Sequence, residues 1–353
     1  MENLNEVVIG EKLIGVGHPP FIVAEMSGNH NQSIERALEI VEAASKTGVD
    51  AIKFQTYTAD SLTLNVRHKE FIIRDPKSLW DGQSLYELYQ KAYTPWDWHE
   101  KLFQRCRELG VQAFSTPFDE TAVDFLESLD VPAYKIASFE NTHLPLIKKI
   151  ALTGKPIIIS TGMATIAELD ETVSTIIATG NHNIILLKCT STYPASPENT
   201  NIRTIPHMKE LYGILVGLSD HTLGIGVALG SIALGSCMVE KHFTLSRDDG
   251  GVDSAFSMEP EEMRMLVQES KRVWQGLGEI KYGPTEAEQP SLKFRRSLYV
   301  AQDMKKGESF TSSNLRAVRP GYGLPVKYYE ILLGKKILKD TSKGTPLNWD
   351  LIS

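Results

Sequence analysis

Short apolar, strand-like runs alternate with helical patterns eight times between residues 21 and 275. Such alternation predicts a parallel sheet, because a helix must carry the chain back before each new parallel strand. Eight units in roughly 250 residues are typical of an α/β fold of the closed (β/α)8 type, the TIM barrel. The predicted strands are Phe21–Met26, Ala51–Thr56, Val111–Thr116, Ala133–Ser138, Pro156–Thr161, Asn183–Thr190, Ile214–Asp220 and Cys237–Thr244.

Helical patterns fill the intervals, among them Ile34–Lys46, Trp96–Leu109, Ile166–Ala178 and Gly224–Leu234. Several of the intervals end in a glycine just before the next strand, as helices commonly do. An open, doubly wound sheet is the alternative fold. It would normally place a glycine-rich phosphate turn after the first strand, but the segment Glu25–Gln32 contains no GxGxxG. The sequence therefore favours the barrel.

The longest insertion, Tyr57–Pro95, follows the second predicted strand and is rich in aromatic residues. A long loop at this end of a barrel is often a lid or a wall of the substrate site. Packing over the barrel rim is the alternative, and the sequence alone leaves both open.

The pattern changes after residue 280. Short strand-like runs, Ser297–Ala301, Leu315–Pro320 and Lys335–Asp340, are separated by glycines and predict a small β-rich domain. A domain this small has a marginal hydrophobic core and tends to pack against the surface of another domain or subunit. The predicted boundaries are 1–280 for the barrel domain, 281–292 for a linker and 293–353 for the small domain.

Composition excludes some partners and indicates a compartment. A net charge of −7 argues against nucleic acid, because phosphate backbones attract basic surfaces. The most apolar stretch, Ile225–Val239, is shorter than the about 20 residues that span a bilayer, and no export signal is visible. Cys106, Cys189 and Cys237 are widely separated and form no CxxC pair. We expect a cytoplasmic protein without membrane or nucleic-acid partners.

Polar side chains occur at the carboxyl end of every predicted strand, where barrels of this kind carry their chemistry. A single such residue is more often a capping group, but burial of polar groups is costly, and eight sets at one end favour a functional site. The set comprises Glu25; Lys53 and Gln55; Ser115 and Thr116; Lys135, Ser138 and Glu140; Ser160 and Thr161; Lys188, Thr190, Ser191 and Tyr193; Ser219, Asp220 and His221; and Glu240, Lys241 and His242.

Ring closure brings His221, His242 and Glu25 together, because the eighth strand of a closed barrel neighbours both the seventh and the first. Two imidazoles suit a divalent metal such as manganese, zinc or iron(II). Structural histidines are the alternative, although the shared strand-end location favours metal. Glu25 would then act as a general base toward water beside the metal.

Lys53 and Lys135 point into the same mouth, among several hydroxyl side chains. Two ammonium groups ringed by hydroxyls suit a small phosphate or carboxylate ligand. Two alternatives remain: lysines that merely form salt bridges, and a Schiff-base lysine of an aldolase with a different mechanism.

The sequence resembles the bacterial sialic acid synthase family over essentially its whole length. The motifs that carry the resemblance are AEMSGNH (24–30), IKFQTY (52–57), FSTPFD (114–119), AYKIASFE (133–140), STGM (160–163), GLSDHT (217–222), EKHFT (240–244) and RPGYG (319–323). The segments TYTADSLTL, LYELYQKAYTPWDWH, LKCTSTYP and FRRSLYV are most similar to the branch of the family that makes pseudaminate. Ser191 stands where relatives that make N-acetylneuraminate carry asparagine, which implies a different substrate.

The resemblance implies a barrel followed by a small domain similar to SAF and type III antifreeze folds, in a domain-swapped homodimer. It implies a transferase that condenses phosphoenolpyruvate with 2,4-diacetamido-2,4,6-trideoxy-altropyranose, with Mn²⁺, or alternatively Mg²⁺ or Co²⁺. The resemblance implies that His221 and His242 bind the metal and that Glu25 acts in catalysis together with these histidines. The residues implied to bind phosphoenolpyruvate are Lys53, Thr116, Lys135, Ser138, Ser160, Ser191 and Ser219. The residues implied to bind the sugar are Gln55, Glu140, Tyr193, Asp253 and, from the partner subunit, Arg319.

Other functions remain alternatives at this point. Within the same class, the sugar could be N-acetylmannosamine, giving N-acetylneuraminate, or 2,4-diacetamido-2,4,6-trideoxymannose, giving legionaminate. A metal-dependent hydrolase could use the same histidines and carboxylate, but it would not need two anion-binding lysines. A non-catalytic carbohydrate- or ice-binding protein would have no reason to carry the polar strand ends.

Overall fold

The computed structural model describes residues 6–76 and 78–353, which form two compact units, one extending to Gly278 and the other comprising Glu279–Ser353. In the first unit, β1 (Glu6–Ile9) and β2 (Lys12–Gly15) pair as an antiparallel hairpin. The next strands are parallel and close into a barrel in which β10 pairs with both β9 and β3. They are β3 (Phe21–Glu25), β4 (Ala51–Thr56), β5 (Gln112–Pro117), β6 (Tyr134–Ile136), β7 (Ile157–Ser160), β8 (Ile184–Cys189), β9 (Leu215–Ser219) and β10 (Met238–His242). The barrel predicted from the alternating pattern is confirmed.

Helices connect the barrel strands, and within the described ranges none of them is long and apolar enough to cross a bilayer. Gly48 adopts the left-handed conformation that ends the first helix, as its position in the sequence predicts. The predicted helix Gly224–Leu234 instead begins at Gly226, since the positive φ of Gly224 cannot belong to a right-handed helix. The helices of this unit are α1 (Ile34–Thr47), α2 (Ala59–Leu62), α3 (Leu85–Ala92), α4 (Trp96–Glu108), α5 (Glu120–Ser128), α6 (Leu144–Ala151), α7 (Ile166–Ile177), α8 (Thr204–Tyr212), α9 (Gly226–Ala233) and α10 (Pro260–Leu277).

The core of the barrel unit has two layers. The larger layer lies between the strands and the surrounding helices, and it buries residues such as Ile40, Leu126 and Ile176. The smaller layer fills the interior of the barrel, where Val7, Ile9 and Ile14 of the hairpin join a cluster that includes strand residues of β3 to β10. The hairpin, which sequence analysis did not predict, thus packs into one end of the barrel. The carboxyl ends of the strands remain as the end that can receive ligands.

The second unit has its own small core around Leu298, Phe310 and Leu332. It contains β11 (Ser297–Val300) and β12 (Leu315–Val318), which pair as antiparallel strands, and the short helix α11 (Tyr329–Leu332). The run Lys335–Asp340, expected to be strand-like, forms isolated bridges rather than a strand, because single residues pair with separate segments.

Candidate active site

The carboxyl ends of the barrel strands surround a cavity of about 450 Å³. Parallel strands place residues of similar register at the same edge, so side chains distant in sequence meet here. Most of the residues predicted for the site line this cavity: Glu25, Lys53, Gln55, Lys135, Ser138, Glu140, Ser160, Ser191, Tyr193, Ser219, His221, His242 and Asp253.

Two predicted site residues have other positions. Thr116 is buried in β5 as the register partner of Gln55, and it is not among the residues that line the cavity. Its hydroxyl is buried without a hydrogen-bond partner within the described residues, and its contact with a ligand stays a prediction. Arg319 is exposed in the second unit, and its role at the site stays a prediction.

A buried cluster of two lysines and two carboxylates forms the floor of the cavity. The Nζ of Lys53 lies 2.7 Å from Oε1 of Glu240 and 3.3 Å from Oε2 of Glu25. The Nζ of Lys135 donates a hydrogen bond to Ser160 Oγ at 2.6 Å and lies 3.8 Å from Oε2 of Glu240. Lys53 therefore does form salt bridges, while Lys135 is held mainly by a hydroxyl and keeps charge available for an anion.

Burial and mutual charge shift the protonation of this cluster. Burial raises the pKa of Glu25 to about 7, although the ammonium of Lys53 opposes the rise. Burial lowers the pKa of Lys135 to about 8, against the attraction of Glu240. Burial also disfavours the ionised form of Glu240, but Lys135 and Lys53 together hold its pKa below the usual value. Glu25 is thus a carboxylate poised to exchange a proton near neutral pH.

His221 and His242 stand beside each other above this cluster, with ring centroids 5.3 Å apart. The Nδ1 of His221 lies 3.0 Å from the carbonyl oxygen of Thr190, which holds a proton on Nδ1. Burial disfavours the charged imidazole, but Cys189 and this carbonyl together raise the pKa of His221 above its usual value. The Nδ1 of His242 is buried and has no hydrogen-bond partner among the described residues. Burial lowers the pKa of His242 well below its usual value, so its imidazole is neutral.

Two neighbouring imidazoles suit a divalent metal ion, because a metal binds the ring nitrogen that carries no proton. His242 offers such a nitrogen directly, whereas any proton on Nε2 of His221 would have to be displaced by the metal. Within residues 6–76 and 78–353, no group of three or more His, Cys, Asp or Glu side chains is arranged to hold a metal. The remaining coordination positions would therefore belong to water or a substrate, as in catalytic rather than structural sites.

A cradle of hydroxyl and backbone groups lies at the ends of β6, β7 and β8. The N–H of Gly162 donates to Ser138 Oγ at 3.2 Å, and the Asn141 amide holds the loop by donating to the carbonyls of Ser160 and Gly162. A β-carbon on Gly162 would lie 2.1 Å from Ser191 Oγ and 2.6 Å from Ser138 Oγ. Only glycine leaves these hydroxyls free, and together they suit a phosphate or carboxylate ligand.

The insertion between β4 and α4 supplies an apolar wall of the cavity. Trp80 packs near Tyr193, with ring centroids 6.0 Å apart, and donates its indole N–H to the carbonyl of Val252 at 3.2 Å. Of the two interpretations of this insertion, the wall of a ligand site is the one that the structure shows. The insertion residues that line the cavity are Tyr57, Leu62, Ile73, Trp80, Leu85, Leu88, Tyr89 and Ala92.

Sequence reasoning missed several residues of the cavity. Glu240 was named among the polar strand ends but was given no role, because its ion pairs with Lys53 and Lys135 depend on distances in space that sequence spacing does not reveal. Cys189 was considered only as one of three widely separated cysteines, although it lines the cavity, with Sγ 3.9 Å from Nδ1 of His221. Ser27 was passed over within the first motif, yet it is buried and hydrogen-bonded to two other lining residues. The signal for all three was their position at or just after a strand end.

The arrangement combines the parts of a condensing enzyme: cationic and hydroxyl groups that suit a small dianion, a carboxylate near its pKa, two neighbouring imidazoles that suit a metal ion, and an apolar wall. A hydrolase would not require the anion-binding half of this cavity.

Comparison with known proteins agrees with this chemistry. The model of the NeuB family matches residues 40–282, and that of the SAF domain matches residues 295–353. The chain is 44% identical to a pseudaminic acid synthase of Helicobacter pylori, over 94% of this chain and 97% of that one. It is 35% identical to an N,N'-diacetyllegionaminic acid synthase of Campylobacter jejuni, over 90% and 96% of the two chains. The crystal structure of N-acetylneuraminic acid synthetase from Leptospira borgpetersenii, in complex with citrate, superposes with a TM-score of 0.73 at 31% identity, covering 82% of this chain and 96% of that one.

Proposed function

This chain belongs to the NeuB family, and we propose that it condenses phosphoenolpyruvate with 2,4-diacetamido-2,4,6-trideoxy-altropyranose to give pseudaminate and phosphate. The observation that carries the proposal is the 44% identity to a pseudaminic acid synthase over nearly the whole length of both chains. The apolar wall supports it, because a 6-deoxy sugar with two acetamido groups presents methyl groups where a less substituted sugar presents hydroxyls.

In the proposed reaction, Lys53, Lys135 and the hydroxyl cradle hold the phosphate and carboxylate of phosphoenolpyruvate. Carbon 3 of phosphoenolpyruvate attacks the aldehyde carbon of the open-chain sugar, and the aldehyde oxygen takes up a proton to become a hydroxyl. Glu25 removes a proton from the water that adds to carbon 2. The tetrahedral centre then expels phosphate as its carbon–oxygen bond breaks, and the proton of its hydroxyl leaves with the phosphate, which gives the 2-keto acid. The proton that Glu25 took from water balances the one gained by the aldehyde oxygen. The lysines contribute position and charge stabilisation throughout.

A divalent ion, which we propose to be Mn²⁺ with Mg²⁺ or Co²⁺ as alternatives, would be held by His221 and His242. When bound, it supplies a Lewis acid for the aldehyde oxygen. The neutral, unpartnered nitrogen of His242 supports this assignment. Tyr193 packs against His221 with ring centroids 4.5 Å apart, so the sugar side of the cavity begins next to the metal ligands.

We also propose a homodimer in which the small unit of one chain covers the barrel mouth of its partner. Loops at the carboxyl ends of the strands expose large apolar side chains, including Phe139, Met163 and Leu223, each 63% exposed. In the small unit, Arg319 and Tyr322 are exposed on the same loop.

We propose that the protein works in the cytoplasm. Its three buried cysteines are free thiols, as is usual for proteins of a reducing compartment.

The direct test is phosphate release by metal-stripped and Mn²⁺-reconstituted protein, given phosphoenolpyruvate and one of three sugars, with the product mass recorded. The sugars are the diacetamido altrose compound, its manno counterpart and N-acetylmannosamine. Turnover confined to the altrose compound, and lost on stripping the metal, is the expected result. Turnover with another sugar would correct the substrate, and release without any sugar would favour a hydrolase.

We predict that Gly162→Ala weakens phosphoenolpyruvate binding while the barrel stays folded. The added methyl group would displace the hydroxyls of Ser138 and Ser191 from the cradle, since both lie within 2.6 Å of its position. We expect KM for phosphoenolpyruvate to rise about tenfold or more, the equivalent of one lost charge-assisted hydrogen bond. Gly226→Ala, where a β-carbon meets open space, is the matched control. An unchanged KM in Gly162→Ala would remove the cradle from the binding site.

We predict a bell-shaped pH dependence of kcat/KM for phosphoenolpyruvate. The acid limb lies near pH 7, because Glu25 must lose its proton to act as a base and its pKa is about 7. The basic limb lies near pH 8, because Lys135 must keep its proton to hold the anion and its pKa is about 8. Lys135→Arg keeps the cation at all accessible pH values, so this slower variant should retain only the acid limb. A basic limb that persists there would rule out Lys135 as its source.

A further inference from the structure

Ser27 has an unusual backbone conformation for a residue with a side chain. It lies two residues beyond the end of β3, it is 3% exposed, and its φ is 49°. A β-carbon makes this left-handed region unfavourable, whereas glycine adopts it freely. A serine at this position therefore carries a conformational cost that a glycine would not, and its hydroxyl is the part of the side chain that could offset this cost by hydrogen bonding.

The Ser27 hydroxyl joins two side chains that line the same cavity. Its Oγ donates a hydrogen bond to Oδ2 of Asp253 and accepts one from Nε2 of Gln55 at 3.1 Å. The same Gln55 nitrogen donates to Oε1 of Glu25 at 2.9 Å. Both hydrogens of the Gln55 amide are thereby engaged, so its plane is fixed and its carbonyl oxygen remains available as an acceptor.

Asp253 is held from a second direction. Its backbone N–H donates to Oδ1 of Asn29 at 3.2 Å, which anchors the loop after β10 onto the segment that carries Ser27. Its carboxylate has one oxygen on the Ser27 hydroxyl, which leaves the other as a free acceptor. Ser27 thus sets the relative position of two acceptors, the Gln55 carbonyl and the Asp253 carboxylate, on one side of the cavity.

We propose that Ser27 is a positioning residue for the amino-sugar, acting through Gln55 and Asp253. A pair of fixed acceptors suits the N–H of an acetamido group and a neighbouring hydroxyl of a sugar, both of which are donors. Within the described residues, Lys135 and Ser160 share no hydrogen bond with this network, which reaches the anion-binding groups only through Glu25 and Lys53. The inference rests on the proposed function, since it assumes that the second substrate is an amino-sugar.

The test compares Ser27→Gly with Ser27→Ala, which remove the same hydroxyl but differ in backbone cost. Both variants should raise KM for the amino-sugar about tenfold or more, while KM for phosphoenolpyruvate stays within about twofold. Ser27→Gly should unfold at a higher temperature than Ser27→Ala, because glycine relieves the positive φ. Wild-type sugar KM in Ser27→Ala would overturn the proposal, and so would an equal rise in both KM values, which would indicate a general loss of the site.

A control variant distinguishes the effect of losing the Ser27 hydroxyl from the effect of relieving its backbone conformation. Asp130, with φ of 52°, follows α5 at the opposite end of the barrel. Asp130→Gly should relieve its backbone in the same way and leave both KM values unchanged; a raised sugar KM there would attribute the Ser27 effect to altered stability and overturn the proposal. Wild-type protein that releases no phosphate with any of the three sugars would refute the proposed function, and the inference with it. Active wild-type protein with unchanged Ser27 variants would refute the inference alone.

Discussion

Glu25→Gln should lower kcat by about 10²- to 10⁴-fold, the usual contribution of a positioned general base. The carboxylate is fully buried, accepts a hydrogen bond from Gln55 and lies 3.3 Å from the Lys53 ammonium. Glutamine has the same shape but cannot accept a proton at neutral pH. Phosphate release at saturating substrates measures the loss, and calorimetry should show phosphoenolpyruvate binding within about threefold of wild type.

Stability distinguishes this loss from misfolding. The pKa of Glu25 is raised from 4.5 to about 7, so the fold disfavours the ionised carboxylate, and this penalty is fully present above pH 7. A neutral glutamine should therefore leave the unfolding temperature at pH 8 unchanged or raise it. Exposed Glu70→Gln is the control for the substitution itself. Near-normal turnover in Glu25→Gln would remove Glu25 from the mechanism.

Lys53→Met should both destabilise the barrel and abolish phosphoenolpyruvate binding. The Lys53 ammonium lies between the carboxylates of Glu25 and Glu240, and all three side chains are at most 6% exposed. Breaking a buried pair leaves uncompensated charge, which costs about 3–5 kcal/mol. Denaturant unfolding should show this loss, and no calorimetric signal should remain for phosphoenolpyruvate at millimolar concentration.

A second substitution tests the cause of that instability. In Lys53→Met/Glu240→Gln, the carboxylate that lay closest to the Lys53 ammonium is also neutralised, so part of the free energy of unfolding should return while binding stays lost. Lys149→Met breaks a partly exposed pair with Asp124 and should cost less than about 1 kcal/mol. If the double variant is no more stable than Lys53→Met, the instability does not come from the buried charge of Glu240.

The barrel could be predicted from sequence because its determinants are local. Each strand is an apolar run and several helices end in a readable signal, as at Gly48, so eight repeats specify the topology without any long-range information. The β1–β2 hairpin was missed because two strands of four residues carry almost no periodic signal. The run Lys335–Asp340 misled because a short run with an apolar centre resembles a strand, while its actual partners are single residues in separate segments.

The site was predictable to the level of residue sets but not of interactions. Strand ends identify which side chains meet, and most of the expected residues do line one cavity. The charge balance around Glu240 depends on distances to two lysines from different strands. The conformation of Ser27 was hidden for another reason: serine rarely adopts a positive φ, so nothing in its residue type indicates a left-handed position.

The hairpin within the barrel has a consequence for how the chain is made. Residues 6–15 emerge from the ribosome before the barrel strands, yet Val7 and Ile9 are buried in a cluster that also contains Leu215 and Met238, which are synthesised near the end of the barrel sequence. The apolar side chains of the hairpin therefore stay exposed until the last barrel strands have been synthesised. During that interval they are a surface for chaperones or for misassociation. The hairpin is translated early but buried late, so slow or stalled synthesis should increase aggregation of the protein.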